Sequence, residues 1–67
     1  MIEKENFIKN VKSNLKELGW TQKMFADKIG CSKTTISKWF LFQTQPTLEY
    51  IIKICKVLNC TFEELIS

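Results

Sequence analysis

The chain has 67 residues, 45% apolar and 25% charged, which is the balance of an ordinary folded domain near the lower size limit for a core without staples. Two glycines, one proline and no run of alternating β-branched residues argue against a sheet, and the apolar stretches are too short and too broken by lysine to span a membrane. The net charge of +3 is unevenly spread: over residues 6–38 seven lysines face Glu17 and Asp27, whereas residues 39–67 hold one more acid than base.

In chain order, Phe7, Ile8, Val11, Leu15 and Leu18 recur at steps of three and four, one face of a helix that Gly19 ends. Lys9, Lys12 and Lys16 fall on its other faces. Thr21 is an N-cap for a helix of about two turns, with Met24, Phe25, Ala26 and Ile29 apolar and Gly30 placed to end it in the left-handed conformation. Ser32 caps a third helix whose apolar residues are Ile36, Trp39 and Phe40, so one narrow stripe faces inward and Lys33, Thr34, Ser37 and Lys38 point out. Thr47, directly after Pro46, caps a fourth, with Leu48, Ile51, Ile52, Cys55 and Leu58 as its expected buried face, widened by Ile54 and Val57. Asn59 tolerates the left-handed conformation and ends it. Thr61 and Glu64 make a T-x-x-E capping box that opens a last turn with Leu65 and Ile66. The expectation is an all-α chain, one compact five-helix domain over residues 1–67.

Several function classes recede on composition. Residues 1–7 carry acid and no apolar h-region, so no secretory leader is expected and the cytoplasm is the expected compartment. Cys31, Cys55 and Cys60 are odd in number, with no histidine and no C-x-x-C pair, which argues for small buried thiols in a reducing compartment rather than a metal site. Without histidine the usual nucleophile–base pairs cannot form, the carboxylates are scattered, and no glycine-rich phosphate loop exists. Neither catalysis nor a cofactor is expected.

The informative feature is a pair of short helices separated only by Gly30 and Cys31 before the Ser32 cap. So tight a break forces a steep crossing, the geometry of a helix-turn-helix unit over about residues 21–40. The second helix of such a unit enters the DNA major groove and reads bases from its N-terminal residues. An outward face of lysine, threonine and serine suits a groove lined with acceptors, although a plain amphipathic surface helix looks similar.

"TQKMFADKIGCSKTTISKWF" followed by "QPTLEYIIKICKVLNCTFEELI" resembles the lambda-repressor and Cro type of helix-turn-helix domain found in phage and bacterial regulators. Thr21-Gln22, Ala26, Gly30, Ser32 and Ile36 match that pattern, as do Pro46-Thr47-Leu48 and Leu58 before "TFEEL". The resemblance runs from Phe7 to Ile66 and implies double-stranded DNA as partner, with a homodimer on it. Gln22 then takes the place of the family's phosphate clamp, the alternative being an exposed glutamine of good helix propensity. Lys33, Thr34 and Lys38 are the candidates for base edges, lysine donating to guanine O6/N7 and threonine offering its methyl to thymine, the alternative being lysines that touch phosphate only. Lys23, Thr35, Ser37 and Gln43 are secondary or phosphate candidates, and Lys28 flanks the backbone or serves solubility. All ten cations are lysine, so guanine contacts should discriminate less than arginine's bidentate fork, and groove shape should carry a share of specificity.

Against the family pattern, Trp39 stands at an expected core place, but Phe40, Leu41 and Phe42 replace a glutamate, a variable residue and a glycine. Either the helix runs on and both rings fold back on the monomer, or contiguous exposed aromatics mark a protein interface; the second is the favoured expectation. An isologous dimer through Phe40, Leu41 and Phe42 follows from it. The rival from another class is a protein-binding helix-turn-helix module, an antitoxin or a phage-encoded inhibitor, using that apolar surface on a second protein.

Overall fold

The helical expectation is met at every element. A computed structural model describes residues 4–66, in which α1 (Lys4–Leu18), α2 (Gln22–Ile29), α3 (Lys33–Phe40), α4 (Leu48–Leu58) and α5 (Phe62–Ile66) follow one another without a strand among the described residues. The leader argument from residues 1–3 and the outer ends of the expected 1–67 domain lie outside the described residues.

Local chemistry starts the helices where the sequence places caps. Thr21, Ser32 and Thr47 hold extended backbone, and each hydroxyl accepts from the N–H three residues on, those of Met24, Thr35 and Tyr50. At α5 the box closes both ways: Glu64 N–H donates to Thr61 Oγ1 at 3.1 Å and Thr61 N–H to Glu64 Oε1 at 2.8 Å. The ends follow one rule too. Gly19, Gly30, Phe42 and Asn59 are left-handed, with φ of 73, 79, 62 and 56°. The N–H after each reaches a carbonyl five residues back: Trp20 to Leu15, Cys31 to Ala26, Gln43 to Lys38 and Cys60 to Cys55, at 2.9 to 3.0 Å. Phe42 thus keeps the backbone that the resemblance assigns to glycine.

One core joins all the elements. Phe7, Ile8, Val11 and Leu15 of α1 meet Phe25, Ala26 and Ile29 of α2, Ile36, Trp39 and Phe40 of α3, Ile54 and Leu58 of α4, and Leu65 of α5. Trp39 is set edge-on to Tyr50, ring centres 5.4 Å apart, and Asn10 Nδ2 donates at 2.7 Å to the Leu65 carbonyl, tying α1 to the last turn of α5.

Expectations about burial need correction in several places. Leu18 continues the inward face of α1 in register but is 48% exposed, because as the last helical residue it lies past the packed part of that face. Met24, apolar like Phe25 and Ile29, is 42% exposed, its sulfur 3.5 Å from the Thr21 N–H. The larger correction concerns α4, where Leu48 and Ile52 are 72% and 47% exposed. This helix is apolar around more than half of its circumference, and the part set against α2 and α5 is the one centred on Ile54 and Leu58. Ile51, Cys55 and Val57 lie half-buried at its margins. The cysteines are half-buried rather than buried, and burial pushes the Cys31 and Cys55 thiols up, with Lys53 partly opposing this at Cys31 and Cys60 adding to it at Cys55.

Candidate nucleic-acid interface

α2 and α3 are joined by residues 30–32 alone, and their two N-termini carry the chemistry. The first N–H groups of each helix have no partner within their helix, and the aligned peptide dipoles leave partial positive charge there. Residues 21–40 add Lys23, Lys28, Lys33 and Lys38 against the single acid Asp27. The unit is therefore positive by side chain and by backbone.

On α3 the side chains divide into those already engaged and those left free. Ser32 Oγ, the cap, lies 3.0 Å from Thr35 Oγ1, which turns that hydroxyl back toward the helix start. Ser37 Oγ donates to Gln22 Oε1 at 2.8 Å in a part-buried contact that spans the two helices. With its oxygen taken, the Gln22 amide has its NH2 group left for an acceptor such as a phosphate oxygen. The side chains of Lys33, Thr34 and Lys38 are exposed and make no hydrogen bond or ion pair among the described residues. Lys23 pairs with Asp27 at 3.3 Å, but both side chains are so exposed that this pair is readily exchanged for another anion. Lys28 sits over the Trp20 ring, 4.6 Å from its centre, a cation–π contact that engages its ammonium. Gln43 is exposed just past α3, held by its backbone bond to Lys38.

A family model described as helix-turn-helix matches residues 11–65, from the middle of α1 into α5. The chain belongs to this helix-turn-helix family. Its type is that of the lambda repressor and Cro, a group of DNA-binding regulators that are generally not enzymes. A search of curated proteins returns no match. In helix-turn-helix proteins the second helix of the unit is the one that lies in the major groove; the second helix here is α3, and its exposed face carries Lys33, Thr34 and Lys38.

The aromatic exit of α3 separates into two kinds of residue, and the expectation that Phe40 offers surface to a partner is corrected. Phe40 lies four residues after Ile36 on the same face, is 7% exposed, and has the Lys12 ammonium 5.7 Å from its ring centre. Leu41 and Phe42 are 65% and 49% exposed. Phe42 lines a shallow groove of about 290 Å³ with Trp39, Ile51 and Phe62. Sequence reading missed the pairing of Ser37 with Gln22: the two lie 15 residues apart and only the crossing of α2 and α3 brings them together. Among the described residues no helix is long and apolar enough to cross a membrane.

Proposed function

We propose that the protein is a sequence-specific regulator of transcription, a phage or bacterial repressor that acts in the cytoplasm as a homodimer on a pseudo-palindromic operator. The observation that carries this is the state of α3: Lys33, Thr34 and Lys38 stand free on its outer face while the Ser37–Gln22 bond ties the start of α2 to the same helix. Lys33 and Lys38 donate to guanine O6/N7, and Thr34 sets its methyl against thymine. Gln22 holds a phosphate with its NH2 group, and Lys23, released from Asp27, joins it there. Thr35, Ser37 and Gln43 contribute to position rather than to sequence. Leu41 and Phe42 supply apolar surface to the dimer.

The test is fluorescence anisotropy with a random-sequence duplex, then with duplexes selected from a random pool, at several salt concentrations. Affinity should fall with a log–log slope steeper than about −3, since each neutralised phosphate contributes about −0.9. A flat response would end the proposal. The exposed Leu41 and Phe42 favour one alternative, a helix-turn-helix module that binds a second protein; a co-purifying partner with no shifted DNA band at low salt would decide for it.

A further inference from the structure

The outer side of α4 carries a pattern that DNA binding leaves unused. Leu48, Ile52 and Cys55 recur at steps of four and three, and the first two are 72% and 47% exposed. That spacing matches one heptad of a helix-pairing seam, in which Leu48 and Cys55 take d positions and Ile52 an a position. Glu49 and Lys56 then fall on successive e positions along one flank. Both are exposed, and neither is in an ion pair among the described residues.

That flank is its own complement. Turning a helix end for end about a two-fold axis sets the same flank of each copy against the other, so the e positions face one another. An acid and a base one heptad apart then meet as opposites: Glu49 of each copy lies beside Lys56 of the other. A parallel pairing sets e against g positions, here Ile51 and Leu58, and leaves both charges without partners.

We propose that α4 pairs antiparallel with α4 of a second copy about an axis near Ile52, and that this seam is the centre of the homodimer. The inference rests on the dimer named above and assigns its site. The patch is isologous, with Ile52 packing on its counterpart and Leu48 on the Cys55 end. α4 has 11 residues, so the seam is short and draws on its margins. Phe62, 47% exposed, lines the α4 groove and also the groove of Phe42, which joins the exit of α3 to the same apolar surface.

Sedimentation equilibrium of the purified chain without DNA tests this, using Glu49→Lys, Lys56→Glu and the double exchange. Each single exchange turns two attractive contacts into two repulsive ones and should weaken self-association about tenfold; the double exchange should restore it to within about threefold. Circular dichroism should show unchanged helix content, since both positions are exposed. A wild-type chain that stays monomeric at about 1 mM overturns the seam, as does a double variant no tighter than the weaker single. Binding to a random-sequence duplex at low salt is measured alongside. DNA binding by a monomer overturns the seam and leaves the DNA reading standing, whereas charge rescue in a chain that ignores DNA upholds the seam and removes the DNA reading.

Discussion

α3 and α4 each bury one isoleucine completely, Ile36 and Ile54, and each presents solvent with a second face of a different kind. On α3 that face is polar and cationic, with Lys33, Thr34 and Lys38 free of partners among the described residues. On α4 it is apolar, with Leu48 and Ile52 standing out between a charged flank and the core. A polar outer face is what any surface helix shows, and it gains meaning only from what surrounds it: two helix N-termini, a lysine excess and a glutamine held by its neighbour. A contiguous apolar face carries meaning alone, because leaving it in water is unfavourable. The first face suits a charged, hydrated polymer and the second suits protein.

The sharpest way to break that comparison uses the same residue type on both helices. Ile36 is wholly buried beneath the exposed polar face of α3, and Ile52 lies on the outside of α4. Ile36→Ala should cost about 2–5 kcal/mol, the lost transfer energy plus the cavity, a large part of the stability of so small a domain. Ile52→Ala in dilute solution should stay within about 0.5 kcal/mol. Urea unfolding of the two variants side by side measures the difference, and equal losses would erase the distinction between the helices.

Next in size are the free lysines. Lys33→Ala and Lys38→Ala should each weaken binding to a selected duplex by about 1–3 kcal/mol if they read bases, with specificity relaxed at one position apiece. A contact to phosphate alone would instead weaken all sequences alike and lower the salt slope by about one. In both cases the urea midpoint should not move, since neither side chain supports the fold. A shift of the midpoint equal to the loss of affinity would place these lysines with the core.

How far these faces were legible in the sequence depends on how local their causes are. Caps are local, and Thr21, Ser32, Thr47 and the Thr61–Glu64 box start helices where the residue types demand it. Gly19, Gly30 and Asn59 end helices for an equally local reason. Periodicity misplaces the buried side of α4 because apolar residues surround most of it, and it cannot choose between two apolar stripes when α2 and α5 make the choice. Adjacency in the chain groups Phe40 with Phe42, whereas the helical repeat groups it with Ile36. Ser37 and Gln22 meet across two helices, and no local signal announces that.

That pair supplies a smaller test of the polar face. Ser37→Ala should release the Gln22 amide and weaken DNA binding by about 0.5–1.5 kcal/mol, the range of one net hydrogen bond. If Ser37 acts by orienting Gln22, the double variant with Gln22→Ala should lose less than the two single losses together. Additive losses, read from the same anisotropy titrations, would mean that Ser37 touches DNA independently and that the 2.8 Å bond positions nothing.

The smallest net effect is expected at Phe42, where two terms oppose. Its left-handed backbone, φ 62°, costs a residue with a side chain about 1–2 kcal/mol relative to glycine. The residue is 49% exposed, so burial returns about half of the 1.5–3 kcal/mol of a fully buried phenylalanine. Phe42→Gly removes both and should leave stability within about 1 kcal/mol of the parent. Phe42→Ala keeps the strain and loses the ring, and should fall about 1–2 kcal/mol below the glycine variant. Gly30→Ala calibrates the backbone term, since a Cβ there meets nothing within 4 Å and the whole cost is conformational. If the alanine and glycine variants unfold at the same urea concentration, strain is not what separates this exit from those at Gly19 and Gly30. Because Phe42→Gly keeps the turn, any self-association lost with it belongs to the ring, and a loss smaller than that of Glu49→Lys sets Phe42 at the margin of the α4 seam rather than at its centre.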